Sequence, residues 1–512
     1  MSLGRTYAVA LMGLRGNIVE IEADIGQTLP SFQILGLPDA SLQEARERIR
    51  AAAHNAGVPL SRRKITVNLL PASLPKRGSS FDLAIVMAAL RAAGDIQDPG
   101  KCVFLAELGL DGRLRPVRGV LPAVAAAVRL GFRRVVVASA NLAEAQLVPG
   151  SEVIGCAGLG DVARGFGADP EGLVVDQEPF SPTAPGTDPT KGILPDLSEV
   201  AGQDEARIAL EVAAAGRHHL LLKGPPGAGK TMLAERLPGI LPDLEEQEAM
   251  EVTSVHSLSG PEQGCAGLIR RPPYENPHHT ASSAAIIGGG SGIPRPGAAS
   301  RAHRGVLFLD EAPEYERRVL DGLRQPLESG ELVIHRSAGV ASFPARFQLV
   351  LAANPCPCGQ ATGKGRDCTC TALARRRYFS KLSGPLLDRV DVQIAVGRLS
   401  PAQLSSQEQG EPSAAVAQRV LSARERARCR WREHALTVNA EIPGRLLRGQ
   451  FRLSESVTRS LDTALERGVI TARGYDRVLR IAWTLADLAQ QNRPGSDELG
   501  QALMLRQHGE LS

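Results

Sequence analysis

Gly224-Pro225-Pro226-Gly227-Ala228-Gly229-Lys230-Thr231 decides the reading of this 512-residue chain. The stretch fits G-x-x-x-x-G-K-[ST] at every position. His219-Leu220-Leu221-Leu222 precedes it as an apolar strand, and residues 232–237 follow as a helix. Strand, glycine-rich turn and helix together make a phosphate cradle. The glycines let successive backbone N–H groups turn toward phosphate oxygens, and the helix adds the positive end of its dipole. All eight residues are therefore expected to hold ATP, with Lys230 reaching the β- and γ-phosphates and Thr231 ligating Mg²⁺.

A phosphate loop that hydrolyses its nucleotide needs carboxylates close by. Val306-Leu307-Phe308-Leu309-Asp310-Glu311 supplies an apolar strand ending in two acids. Asp310 is expected to act on Mg²⁺, and Glu311 to polarise the attacking water. Residues 347–353 form another apolar strand, and the amide of Asn354 at its end can orient that water. With Lys230, these residues make the catalytic set.

Around this core the chain divides. Residues 1–172 read as an α/β unit, with an alternating strand at 19–25, further strands at 65–69 and 134–137, and helices at 83–93 and 120–130. Residues 173–192 read as a Pro- and Thr-rich linker. Residues 193–397 carry the phosphate loop, and 398–512 are helical, with long patterns at 414–434 and 472–491. The expected fold class is α/β multidomain.

Composition narrows the setting. The chain is 43% hydrophobic and 22% charged, with a net charge of +4 and only 4% aromatic residues. That balance excludes a strongly basic nucleic-acid binder, so any such contact must be a local patch. No apolar run is long enough to span a membrane, and the first ten residues lack a signal-peptide core, so a cytoplasmic protein is expected. Of eight cysteines, Cys102, Cys156, Cys265 and Cys429 are scattered and read as buried, reduced thiols. Cys356-Pro357-Cys358 and Cys368-Thr369-Cys370 cluster. Four thiolates suit a structural, tetrahedral Zn²⁺. Lys364, Arg366, Arg375, Arg376, Arg377 and Lys381 surround them, with Tyr378 and Phe379 between. This basic patch is either a contact for DNA phosphates or a solvated or interfacial face.

These motifs resemble those of AAA+ ATPases, and more narrowly the magnesium-chelatase-like branch. Pro277-His278-His279-Thr280, Gly288-Gly289-Gly290-Ser291-Gly292, Arg295-Pro296-Gly297, His303-Arg304-Gly305 and Ser383-Gly384-Pro385-Leu386-Leu387-Asp388-Arg389 resemble one subfamily, the YifB/ComM proteins. The likeness runs over nearly the whole chain. It implies a Lon-protease/ribosomal S5-like N-terminal domain, an AAA+ core and a C-terminal helical lid. It also implies a homo-oligomeric ring, a hexamer, that drives DNA branch migration in natural transformation. By the same resemblance, Arg389 is an arginine finger for a neighbour's ATP, and Arg473 reaches nucleotide from the lid, with Arg477 and Arg480 as rivals. The long stretch between Lys230 and Asp310 has room for a pore-facing hairpin, for which residues 288–292 are the candidate; the alternative is a surface loop.

The Lon-like domain raises a protease reading. Leu74-Pro75-Lys76-Arg77-Gly78-Ser79-Ser80 resembles the serine region of Lon, with Ser80 at the nucleophile position. A serine nucleophile needs a lysine base, and the matching position holds Leu121. Arg118 nearby cannot serve, because guanidinium keeps its proton. An ATP-dependent protease and a magnesium-chelatase-type remodelling ATPase stand as alternatives to the DNA motor.

Overall fold

The computed structural model describes residues 3–507, apart from 27–28, 36–39, 61–63, 77, 180–193, 260–266, 291–293, 337–338, 362–367, 401–402 and 404–409. The apolar runs around the phosphate loop become a five-stranded sheet. Its order is Tyr274–Glu275, Val306–Leu309, Gln348–Ala353, Leu220–Lys223, Val392–Ala395. Every pairing is parallel. Strands covered on both faces need no alternation of polar residues. Accordingly, every residue of Val306–Leu309 and Gln348–Ala353 is buried.

Parallel pairing sorts the functional segments. The phosphate loop follows Lys223, Asp310 follows Leu309, and Asn354 follows Ala353, so all three leave the sheet at its C-terminal edge. Arg389 instead precedes Val392–Ala395, whose Val392 pairs with Leu220 at the start of the phosphate-loop strand. It therefore lies at the opposite, N-terminal edge.

The N-terminal unit is a seven-stranded sheet ordered Ser31–Leu35, Lys64–Leu70, Arg15–Gly26, Gly4–Met12, Cys102–Leu105, Arg134–Ala138, Glu152–Cys156. Only Arg15–Gly26 runs against the rest. Helix Asp82–Ala93 packs against it and is buried along nearly its whole length. Its first carboxylate, Asp82, pairs with Arg48 at 2.7 Å, yet burial still pushes it up to about 6. Packing continues past residue 172: the Val174 N–H donates to Ala56 O at 3.0 Å.

Among the described residues, two elements of the core unit pack on this N-terminal unit. Helix Glu246–Ser259 abuts helix Val120–Arg129, where Gly119 N–H donates to Ser257 O at 3.0 Å. The second is an antiparallel hairpin, Glu331–Arg336 with Gly339–Pro344, which the sequence reading did not pick out. The Gly13 turn sits so close to it that a Cβ there would lie 2.4 Å from Ser342 O, and φ is +64°. Only glycine fits both demands.

Helices Ser413–Trp431, Glu455–Glu466, Ala472–Leu488 and Ser496–Gln507 form the C-terminal region. The first and third pack on Asp204–Gly216 of the core. Trp431 and Trp483 stand edge to face at 5.6 Å, with Phe451 4.5 Å from Trp431. Beneath them His218 contacts Thr484 at 2.8 Å, and Asp391 holds Arg477. Removing one partner of so buried an ion pair typically costs about 3–5 kcal/mol. One expectation fails here. Cys429 is exposed on helix Ser413–Trp431; Cys102 is buried, Cys156 half-buried, and Cys265 lies outside the described residues.

Candidate functional site

At the C-terminal edge the loop closes on itself around Lys230. Gly227 and Gly229 take φ of +75° and +87°, in the left-handed region that admits glycine at little cost. Helix Lys230–Arg236 starts immediately after them. Lys230 Nζ donates to Gly224 O at 2.8 Å, Pro225 O at 2.9 Å and Asn354 Oδ1 at 3.0 Å. Burial lowers this amine from its ordinary value, with Asp310 and Glu311 opposing the shift. A buried cation at a glycine turn that opens a helix is matched to a polyphosphate.

Thr231 Oγ1 donates to Asp310 Oδ2 at 2.7 Å. Neighbouring ligands of octahedral Mg²⁺ lie about 2.9 Å apart, given bonds of about 2.05 Å. The two oxygens fit that ion without rearrangement of the strands. Asp310 Oδ1 also accepts from the Glu311 N–H at 2.8 Å. Glu311 sits at φ 49°, ψ 44°, a left-handed backbone that a non-glycine residue holds at some cost. The turn presents its half-exposed carboxylate beyond the strand end.

His279 was missing from the sequence-derived set. Its Nδ1 lies 3.5 Å from Glu311 Oε2, and its ring lies tilted against that of His278, with centroids 4.2 Å apart. Tyr315 closes behind it, donating to Pro277 O. The two histidines stood out in the sequence, but nothing local linked them to Glu311.

Arg389 and Arg473 do not join this cluster. Arg389 donates to Pro385 O and pairs with Glu328. Burial, then Arg473, Arg477 and Arg324, hold its guanidinium below the ordinary value. It lines a cavity of about 490 Å³ at the N-terminal edge, with Arg217, Arg346, Arg477 and Arg480. Arg473 stands beside it, 3.9 Å from Asp388, with a side chain 72% exposed. The rivals are engaged internally: Arg477 with Asp391 and Arg389 O, and Arg480 with Ile442 O at 2.8 Å.

The four clustered cysteines converge. Their sulfurs all lie within 4.8 Å of one another, with 3.3, 3.7 and 3.8 Å among Cys356, Cys358 and Cys368. Thiolates on a tetrahedral Zn²⁺ at about 2.3 Å stand about 3.8 Å apart, so this donor set fits that ion. Hydrogen bonding from the Gln360 backbone and neighbouring thiols holds Cys358 below the ordinary thiol range, while Cys370 is pushed up to about 11.

The basic patch beside them differs from expectation. Arg375, Arg376 and Arg377 are exposed on helix Ala372–Phe379, but Tyr378 is buried and Phe379 half-buried. Lys381 pairs with Glu314, and Lys364 and Arg366 lie outside the described residues. Of the glycine-rich candidate hairpin, Gly288–Gly289 pairs antiparallel with Arg295–Pro296; residues 291–293 at its tip are outside the described residues.

In the N-terminal unit Ser80 lines a cavity of about 310 Å³ together with Ser79, Glu107 and Arg118. Residues 294–296 of the core close its far side. Leu121 is fully buried among aliphatic neighbours. Ser79 is bonded to Glu107, and the buried Lys76 amine to the carbonyls of Pro71 and Leu74.

Three family models match the chain. Residues 196–404 match one described as magnesium chelatase, subunit ChlI; residues 21–141 match subunit ChlI of Mg-chelatase; residues 410–506 match the ChlI C-terminal region. An uncharacterized protein of Mycobacterium tuberculosis is 51% identical over 513 residues, covering 99% of both chains. Competence protein ComM of Haemophilus influenzae is 41% identical over 509 residues, covering 99% of this chain and 98% of its own. The uncharacterized protein YifB of Escherichia coli is 38% identical over 509 residues, covering 99% and 97%.

Proposed function

Because the chain belongs to the YifB/ComM family of magnesium-chelatase-like AAA+ proteins, we propose that it hydrolyses ATP at a site completed by a neighbouring copy of itself. The observation that carries this reading is the joint placement of Lys230, Thr231, Asp310, Glu311 and Asn354 at one edge of the sheet. The backbone of residues 224–231 cradles the phosphates, Lys230 holds the β- and γ-oxygens, and Glu311 takes the proton of the attacking water. Asn354 orients that water. Thr231 and Asp310 would hold Mg²⁺, which would supply charge neutralisation across the phosphates.

Arg389 and Arg473 act on the neighbour's nucleotide, since a parallel sheet separates them from their own phosphate loop. A closed ring of such interfaces, a hexamer, is the assembly we propose. The domain division proposed is 1–172, a linker at 173–192, the ATPase core at 193–397 and the lid at 398–512. The cysteine cluster holds Zn²⁺.

The work done with ATP is proposed to be movement along DNA, as a branch-migration helicase in natural transformation. A relative named as a competence protein and the three exposed arginines of helix Ala372–Phe379 support this. The protease alternative lacks a proton acceptor where Leu121 is buried. ATP turnover should be measured with no DNA, single strand, duplex and forked junction. Lys230→Ala should abolish nucleotide binding, and Glu311→Gln should bind ATP without hydrolysing it. DNA affinity should fall as salt rises. Normal turnover by Glu311→Gln removes that residue from its role, and indifference to every DNA removes the motor reading while leaving the ATPase.

A further inference from the structure

The cysteine cluster lies against the phosphate loop. Cys356 follows Asn354 by two residues, and Cys356 is fully buried. The chain then turns at Gly359, whose N–H donates to Cys356 O at 2.9 Å. A Cβ on Gly359 would stand 2.5 Å from the ring of Pro226, inside the loop, and φ there is +76°. The Ala361 N–H closes the turn on Cys356 Sγ at 3.3 Å. On the far side of the cysteines, helix Ala372–Phe379 returns to the same place. The Asn354 backbone meets the Tyr378 hydroxyl, and Lys223, the last residue of the phosphate-loop strand, lies 4.9 Å from the Phe379 ring. Asn354 therefore lies between two arms of the knuckle, a short turn tied to Cys356 and a helix tied through Cys368 and Cys370.

From this juxtaposition we propose that the cysteine knuckle is a metal-dependent positioning element for Asn354 and for the Pro226 side of the phosphate loop. The inference rests on the ATPase reading above. With Zn²⁺ on Cys356, Cys358, Cys368 and Cys370, the two arms are cross-linked and the Asn354 amide is fixed against Lys230. Without the ion, the arms part and the amide loses its place. Nucleotide binding depends mainly on Lys230 and the loop backbone, which the knuckle approaches at Pro226. Hydrolysis depends on a water aligned by Asn354, and misplacing such a group by about 1 Å can cost about 10²-fold in rate. The knuckle thus makes turnover, rather than ATP affinity, the quantity that responds to metal or to thiol oxidation.

The test uses the full chain, with zinc content, affinity for a fluorescent ATP analogue and kcat measured on each variant. Wild type should carry about one zinc per chain. Cys368→Ser should lose the zinc, bind nucleotide nearly as wild type does, and turn over about 10²-fold more slowly. Cys368→His, which restores a zinc ligand, should recover zinc and kcat together. Tyr378→Phe keeps the cysteines and the packing but removes the hydroxyl at Asn354; it should keep zinc and affinity while kcat falls. It also decides the matter where Cys368→Ser does not fold, since an unchanged kcat in Tyr378→Phe overturns the proposal. Zinc-free Cys368→Ser turning over at the wild-type rate overturns it as well, and so does loss of nucleotide binding in parallel with turnover. A wild type that carries zinc but never hydrolyses ATP strikes the ATPase reading instead.

Discussion

The two edges of the core sheet carry different side chains, and on the proposed reading they are complementary halves of one chemistry. The C-terminal edge has a glycine turn opening a helix, a buried lysine, two oxygens spaced for Mg²⁺, and the Glu311 carboxylate and Asn354 amide to which we assign the attacking water. No arginine of the predicted site stands there. The N-terminal edge has Arg389 and the further arginines around its cavity, with Arg473 near Arg389, and among the described residues no glycine-rich turn of that kind. On the proposed reading, the C-terminal edge binds the triphosphate with Lys230 and Mg²⁺, and the N-terminal edge adds the guanidinium that meets the further charge developing on a neighbour's γ-phosphate. Five parallel strands keep them apart within a chain, and our proposal is that the halves meet where the N-terminal edge of one copy faces the C-terminal edge of the next.

The comparison can be broken at several strengths. Arg389→Ala should have the largest effect, about 10³–10⁵ in kcat with ATP binding retained, because a finger acts only in the transition state. Arg473→Ala should cost less, about 10²-fold, since its exposed side chain is not held in place before assembly. Steady-state ATPase at saturating ATP measures both. Equal losses would mean that the lid contributes as much as the finger.

The smallest effect concerns stability. His219 lies at the N-terminal edge, where burial pulls its imidazole from 6.5 down to about 4. Its Nδ1 accepts from the Leu349 N–H at 3.0 Å. The folded state therefore resists protonation, and the unfolded chain takes up the proton first. This group's contribution is whole above pH 6.5 and drains away as pH falls toward 4. The slope from one such group is at most about 1.4 kcal/mol per pH unit. Urea midpoints across this range should fall on acidification in wild type and fall less in His219→Gln. Parallel profiles would place the acid sensitivity elsewhere.

Much of this was legible in the sequence because buried parallel strands write themselves as apolar runs. The segments 219–222, 306–309 and 347–353 each led into residues whose chemistry suited the cradle. Contacts between distant segments were not legible. His279 meets Glu311 only because the chain from residue 274 pairs alongside Val306–Leu309. The knuckle touches Pro226 only through the turn at Gly359. Arg-Arg-Arg-Tyr-Phe at 375–379 read as a basic, aromatic surface, yet a helix of eight residues is too short to reveal its inner face, and Tyr378 lies on it. Cys429 was misjudged for the opposite reason: thiols are so often buried that its place on the outer face of Ser413–Trp431 went unread. The hairpin Glu331–Arg336 with Gly339–Pro344 depends for its meaning on what it packs beneath, the Gly13 turn.

The central claim is that one site is built from two chains, and a mixture of defective copies tests it most directly. Arg389→Ala chains keep an intact cradle and lack the finger; Lys230→Ala chains lack the cradle and keep the finger. Each alone should be nearly inactive. Mixed in equal amounts under conditions where light scattering shows assembly, they should regain a clear fraction of wild-type ATPase, because some interfaces then pair an intact cradle with an intact finger. Mixed assemblies that demonstrably form and stay silent would contradict the account, as would full ATPase from wild-type protein that remains monomeric.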